Sequence, residues 1–350
     1  MLSIKKLSSS QSSLKLEGVS AKFDKGKIYT ILGRTGAGKT ELLRTLIGLD
    51  ESDSGSIHLD DIDITHLPIR VRNMAMVYQQ FINYPHLNVL ENVAFPLYRQ
   101  KINKNDLLKR ARAALRLVGL SDFEERMPAQ LSGGQQQRVA IARAIVKQAR
   151  ILLLDEPLAN LDYKLREQLR EEFPRLLHKN SDGIILYTTT EPAEAMQLGD
   201  ELIVMHEGKF VAQGDPLLLF KDPPNLEVAR IISDPPISIF EAVISDGKLS
   251  FMNGFRLFTN SLNGLKDGSV KVGIRPDSFE LGGDIPAQVK LTEFSGSDTI
   301  VHLRLPFGDA TMLLDGIQTI NTDTTLKISI NTKHLLIFSP QGKTISWRTN

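Results

Sequence analysis

The sequence predicts an α/β fold built on a mainly parallel sheet, followed by an all-β domain, and three observations carry that expectation. Apolar runs at Ile28 to Leu32, Met74 to Tyr78, Ile151 to Leu154, Ile184 to Thr188 and Leu202 to Met205 alternate with helix-like segments between about Leu14 and Ile232. That is the pattern of a sheet with helices on its faces. Asp234-Pro235-Pro236 then interrupts the chain, as such a sequence ends regular structure. Beyond it, strand candidates at Lys248 to Met252, Val270 to Ile274, Gln288 to Phe294, Ile300 to Leu305 and Leu326 to Ile330 are separated by Gly, Asn and Asp turns, a spacing that fits a small barrel. The expected domains are residues 1–234 and residues 235–350.

Taken in order, Met1 to Ser13 carries lysines and serines without an apolar core of signal-peptide length, so no export signal is expected. Ile28 to Leu32 leads into Gly33-Arg34-Thr35-Gly36-Ala37-Gly38-Lys39-Thr40, and Glu41 to Ile47 reads as a helix. Strand, GxxxxGK(S/T), helix is the context in which that pattern binds phosphate. The glycines let backbone N–H groups converge on an anion, and the helix N-terminus adds positive potential there. Lys39 supplies a point charge for the outer phosphates, and the Thr40 hydroxyl suits Mg²⁺.

From Val89 to Arg150 helical spacing dominates, with Leu107, Leu108, Ala111, Leu115 and Val118 on one stripe, which reads as a helical insertion. Within it, Leu131-Ser132-Gly133-Gly134-Gln135 opens a helix, a second place where a hydroxyl and backbone N–H groups can hold an anion. The strand Ile151 to Leu154 then delivers Asp155 and Glu156 to the end of the sheet, where open α/β folds bind ligands. Two acids at a strand end are often only a solvated turn. Beside a phosphate loop they supply the missing metal ligand and base, so the three motifs together imply ATP and Mg²⁺.

Composition excludes several classes. With 24% charged and 41% hydrophobic residues the chain is an ordinary globular one, and 350 residues suffice for two domains. A net charge of +1 gives no electrostatic case for nucleic acid, and the six tyrosines and single tryptophan show no base-stacking spacing. Zero cysteines exclude disulfides and thiolate metal sites and fit a reducing compartment. No stretch approaches the roughly 18–20 apolar residues that cross a bilayer, so a membrane role would come through a partner.

Gly33 to Thr40, Leu131 to Gln135 and Asp155-Glu156 together resemble the ATP-binding cassette ATPases, P-loop NTPases whose helical subdomain would here span about residues 89–150. Met76-Val77-Tyr78-Gln79-Gln80-Phe81, with Tyr84-Pro85-His86-Leu87-Asn88-Val89-Leu90-Glu91-Asn92-Val93, resembles the Gln loop and coupling region of carbohydrate-importer ATPases of the maltose-importer type. Glu156 to Asp162 is similar to that type's dimer-contact loop. Val272-Gly273-Ile274-Arg275-Pro276 is similar to a motif of its C-terminal OB-type domain, which implies a regulatory role for residues 235–350. Tyr78 to Pro85 and Asn160 to Glu167 are most similar to one of two unlike ATPases of bacterial glycerol importers.

The resemblance implies that Asp155 holds Mg²⁺, often through water, that Glu156 polarises the attacking water, and that Gln79 contacts metal and water and senses the membrane partner. Asp162 would position the opposite nucleotide site across a dimer; the plainer role is a helix N-cap, and both can hold at once. Ser132, Gly133, Gly134 and Gln135 would hold the γ-phosphate of a nucleotide bound to another subunit. It further implies an importer subunit at the cytoplasmic face of the inner membrane, docked on integral membrane permease subunits and paired with a second ATPase. A periplasmic binding protein is implied indirectly. The cargo would be a small polyol or sugar derivative, glycerol being favoured.

Two departures from the family pattern stand out. Thr190 occupies the position where a histidine usually reaches the γ-phosphate; losing one such donor commonly lowers rates about 10²–10³-fold. Capping the helix that begins at Pro192 is the other role open to Thr190. Ser8 to Ser13 stands where an aromatic residue usually stacks on adenine, and no aromatic precedes Phe23; such stacking is worth roughly 1–3 kcal/mol. Arg34 replaces a common proline, with no role assigned. A chain weak in what it uses itself but intact in what it lends suits pairing with an unlike ATPase, a homodimer being the alternative. The rival functions are a largely non-catalytic regulatory subunit and a non-transport cassette protein. The latter is disfavoured because there is no coiled-coil insertion and no second cassette.

Overall fold

The computed structural model describes residues 1–10, 14–80, 82–100, 102–159, 161, 166–167, 170–171, 183–252, 254–257 and 265–345. In the first unit, Met1 to Pro216, the strands in chain order are β1 (Leu2–Ser9), β2 (Leu16–Phe23), β3 (Ile28–Leu32), β4 (Ser54–Leu59), β5 (Ile62–Asp63), β6 (Met74–Val77), β7 (Ile151–Asp155), β8 (Ile184–Thr189), β9 (Glu201–His206) and β10 (Lys209–Gly214). The helices are α1 (Lys39–Ile47), α2 (Val89–Ala94), α3 (Lys104–Leu117), α4 (Gly133–Val146) and α5 (Pro192–Leu198).

β3, β7 and β8 are buried along their whole length, as strands covered on both faces must be. They lie inside a six-stranded sheet of order β10-β9-β3-β8-β7-β6, parallel except for the β9–β10 hairpin. Successive side chains alternate between two cores. Ile28, Leu152, Leu154, Ile185 and Tyr187 join one, and Tyr29, Ile31, Ile151, Leu153 and Leu186 join the other. Register aligns the strand ends: Leu32 lies beside Thr189, and Asp155 beside Thr188.

The expected helical insertion is α2, α3 and α4, with Leu107, Ala111, Leu115 and Val118 buried and Leu108 half-buried. Asn88 and Glu91 form a capping box that starts α2. The opening of the chain departs from expectation. Strand and helix alternation read from Leu14 misses β1, which pairs antiparallel with β2 and β4 in a second sheet, β2-β1-β4-β5. Leu2, Ile4 and Leu7 are buried while Lys5 and Lys6 face solvent. An irregularity at Lys6, with φ 47°, shifts the register and hides the two-residue period that marks a strand in sequence.

The second unit is Leu217 to Asn350, so the division precedes Asp234-Pro235. Helix α6 (Pro216–Lys221) straddles it, and α7 (Leu226–Ile231) follows. Leu226 and Ala229 pack with Ile237, Leu336 and Phe338, which ties α7 to the all-β part. The strands β11 (Ser238–Ser245), β12 (Lys248–Phe251), β13 (Arg256–Leu257), β14 (Gly268–Ile274), β15 (Phe279–Phe294), β16 (Asp298–Leu305), β17 (Gly308–Asp315), β18 (Thr325–Ile330) and β19 (Leu336–Phe338) form two antiparallel sheets, β13-β12-β11-β14-β19 and β17-β16-β15-β18. One shared core joins them, an OB-like β-rich region of the expected class.

A chain ending at Pro216 should be soluble and cooperatively folded, whereas one ending at Ser233 leaves the apolar face of Leu226 and Ala229 in water. Limited proteolysis of the longer piece should trim it back toward Pro216. Resistance up to Ser233 would assign α7 to the first unit.

Candidate functional site

The loop after β3 is shaped by what stands behind it. Gly33 N–H donates to Thr189 O at 3.3 Å, Ala37 N–H to Arg34 O at 3.0 Å, and Gly208 N–H to Ala37 O at 3.0 Å. A Cβ on Gly33 would lie 2.5 Å from Met205 O, and one on Gly38 would lie 2.9 Å from Met205 Cε. Gly38 caps α1 with φ 100°, and Gly36 has φ 83°, conformations that favour glycine. At Gly36 a Cβ would meet nothing: that side of the loop is open. Lys39 is 4% exposed. Its Nζ donates to Gly33 O at 2.7 Å and Arg34 O at 3.2 Å and pairs with Glu156 Oε1 at 3.1 Å. The Thr35 and Arg34 side chains are exposed, and nothing in the structure explains the choice of arginine.

β7 delivers Asp155, which is nearly inaccessible. Its Oδ1 accepts from Thr40 Oγ1 at 3.1 Å and Thr188 Oγ1 at 2.9 Å. Burial raises its pKa from the ordinary aspartate value, and the two hydroxyls oppose that rise. Glu156 adopts φ 44°, a left-handed conformation that costs a non-glycine residue roughly 1–3 kcal/mol. Its N–H is held by Thr188 O at 3.2 Å and Thr188 Oγ1 at 3.1 Å. Gln79, just after β6, donates from Nε2 to Glu156 Oε2 at 3.2 Å. The sequence-selected Lys39, Thr40, Gln79, Asp155 and Glu156 are thus joined in one network. A hydroxyl, a carboxylate and an amide beside a phosphate-type loop suit Mg²⁺, a hard cation that takes few protein ligands and keeps its waters.

Thr190 follows β8 between the loop after β3 and the acid pair after β7, as the strand order requires. It does not cap α5. Pro192 is the first helical residue, so Glu191 is the cap, and it makes no side-chain cap hydrogen bond. The neighbouring Thr189 does the local work: its hydroxyl accepts from Glu191 N–H at 3.0 Å and donates to Glu194, which also accepts from Tyr187 OH at 2.6 Å.

Ser132 caps α4. Its Oγ accepts from Gln135 N–H at 3.3 Å, and Gln135 Oε1 accepts from Ser132 N–H at 3.0 Å. Ser132 and Gly133 are exposed, and Gly134 and Gln135 half-buried. Among the described residues no hydrogen bond joins this motif to the Lys39 network. Asp162, Asn160 and Phe81 lie outside the described residues. Thr188 was not singled out by its sequence. Only strand pairing sets it beside Asp155.

The segment Tyr84 to Asn88 is pinned by fully buried Asn92. The two hydrogens of its Nδ2 are shared among Tyr84 O, Leu87 O and Asn88 O at 3.0, 2.8 and 3.0 Å, and its Oδ1 accepts from Tyr84 N–H at 2.8 Å. Tyr84 packs against Phe95 in a tilted arrangement, with ring centroids 4.4 Å apart and planes at 43°, and the Arg143 guanidinium lies over its ring. Ile82, Phe95 and Tyr98 are exposed apolar side chains in this region.

The ABC transporter family model matches residues 16–159. The spermidine/putrescine import ATP-binding protein of Haemophilus influenzae is 44% identical over 223 residues, which are 64% of this chain and 59% of that protein. The sn-glycerol-3-phosphate import ATP-binding protein of Agrobacterium fabrum is 36% identical over 337 residues, 94% of this chain and 90% of that protein. Its counterpart in Ruegeria pomeroyi is 34% identical, covering 95% of each. Among solved structures, a dimeric ATP-binding cassette in a post-hydrolysis state, bound to ADP and Pi, aligns with a TM-score of 0.55 and 29% identity over 62% of this chain and 99% of its own.

Gly33→Ala should destabilise the first unit by about 1–3 kcal/mol, because backbone rather than a flexible side chain opposes the new methyl. A lower denaturant midpoint checks this. Lys39→Ala should weaken nucleotide binding by about 10-fold or more, the loss of a charge-assisted contact of roughly 1.5–3 kcal/mol, read by titration with a fluorescent ATP analogue.

Proposed function

Because the chain belongs to the ABC transporter family, whose import ATP-binding proteins it matches over nearly its full length, we propose that it binds and hydrolyses ATP to drive uptake through separate membrane permease subunits. The convergence of Lys39, Thr40, Gln79, Asp155 and Glu156 beside one glycine loop carries this reading. The backbone N–H groups of Gly33 to Thr40 and the Lys39 ammonium would bind the phosphates, and Thr40, Asp155 and Gln79 would hold Mg²⁺. The bound metal would neutralise charge on the phosphate oxygens. Phosphate would draw Lys39 away from Glu156, which then accepts a hydrogen bond from the attacking water and polarises it. Thr190 would offer an uncharged hydroxyl, so this site turns over slowly.

Ser132, Gly133, Gly134 and Gln135 at the start of α4, the first two exposed, would complete a nucleotide site on a second ATPase, and Asp162 would position that opposite site. The intact signature beside Thr190 and the serine-rich opening favours an unlike partner over a second copy. The same two features favour, as a second reading, a subunit that binds ATP and completes its partner's site without turning over. The permeases would dock around Gln79 to Val93, where Ile82 is exposed, with Phe95 and Tyr98 exposed just after it. Among the described residues no helix is long and apolar enough to cross a membrane, so attachment at the cytoplasmic face of the inner membrane would run through those permeases, which a periplasmic binding protein supplies. The glycerol-phosphate relatives match both units, whereas the polyamine relative matches 64% of the chain. That supports a small polyol, glycerol or its phosphate, as cargo, and a regulatory role for the C-terminal OB-like region.

In the assembled transporter, Glu156→Gln should retain ATP binding and lower turnover at this site by about 10²-fold or more. ATPase assays after single-site nucleotide trapping check this. Ser132→Ala should reduce transport more than Glu156→Gln, since it acts on the stronger site. Equal losses in a complex containing two copies of this chain would exclude the unlike pair.

A further inference from the structure

Thr188 is completely buried at the C-terminal end of β8, in register with Ile31 on one side and Asp155 on the other. Its hydroxyl has one hydrogen to donate and lone pairs to accept with. The hydrogen lies toward Asp155 Oδ1 at 2.9 Å rather than Leu154 O at 3.4 Å, and the oxygen accepts from Glu156 N–H at 3.1 Å. Thr40 uses the same Oδ1. With both hydroxyls on one oxygen, the Asp155 carboxylate has a fixed orientation, and both hydroxyls leave Oδ2 unused. One hydroxyl therefore touches the carboxylate that would hold the metal and the backbone of the residue that would act on water.

We propose that Thr188 is a positioning residue of the ATP site, orienting Asp155 toward Mg²⁺ and holding Glu156 in its left-handed turn. The inference rests on the ATPase reading above. A merely structural threonine would fill space, and valine fills the same space without the hydroxyl. In Thr188→Val the Glu156 N–H keeps the Thr188 carbonyl as acceptor, so what is lost is the hydrogen bond to Asp155 and the second hold on Glu156. Thr188→Ser keeps both.

The test compares the full chain with Thr188→Val, Thr188→Ser and, as control, Glu156→Gln. A fluorescent ATP analogue is titrated in EDTA and then across Mg²⁺ concentrations, and turnover is measured in the assembled transporter. Binding in EDTA should be the same in all four. Thr188→Val should raise the Mg²⁺ concentration needed for half-maximal enhancement, and lower turnover, by about 10–100-fold, the usual effect of removing a group that orients a metal ligand. Thr188→Ser should follow the unaltered chain, and Glu156→Gln should lose turnover alone. If Thr188→Val does not fold, Thr188→Ala carries the same comparison. Unchanged Mg²⁺ dependence without the hydroxyl, or equal damage in the serine variant, overturns the proposal. No Mg²⁺-dependent binding by the unaltered chain overturns the ATPase reading itself.

Discussion

Charges taken out of water must be matched by opposite charge or by hydrogen bonds, because stripping one partner from a buried pair costs roughly 3–5 kcal/mol. Lys39, Asp155 and Glu156 obey that constraint together. Lys39 is met by two loop carbonyls and by Glu156, Asp155 by two hydroxyls, and Glu156 by Lys39 and Gln79. The order of strands in the sheet meets it: β8 lies between β3 and β7, and this register brings those groups within reach. Residues far apart in sequence become one site because three parallel strands end at the same level.

The same constraint accounts for the loop. Backbone carbonyls of Gly33 and Arg34 reach Lys39 only if the chain turns tightly, and the turn is supported by Met205 and Gly208 of the β9–β10 hairpin, close enough that Gly33 has no room for a methyl, while Gly38 is favoured by its φ of 100°. Strain at Glu156 belongs to this arrangement: a left-handed residue directly after a fully buried strand redirects its carboxylate to Lys39 and Gln79 instead of continuing the pleat.

Much of this was legible in sequence. The glycine loop, the acid pair and the apolar strands advertise themselves by residue type and spacing, and the central strands appear within one residue of their expected ends. What sequence hid is what depends on pairing. β1 was obscured by an irregularity at Lys6, the unit boundary by contacts of Leu226 and Ala229 with distant Leu336 and Phe338, and Thr188 by a role that exists only beside Asp155. Strand β11, buried at alternate positions, carried a readable period that the strand candidates passed over. Thr190 fails as a helix cap by position: the helix begins at Pro192 as expected, and the residue before it is Glu191.

The central claim is that the Lys39 network is an ATP site rather than a self-satisfied cluster of charges. A crystal structure of the full chain with Mg²⁺ and a non-hydrolysable ATP analogue tests it most directly. The account predicts the γ-phosphate on Lys39, the metal between Thr40 and Asp155, and Glu156 parted from Lys39. An intact Lys39–Glu156 pair at saturating nucleotide would contradict it.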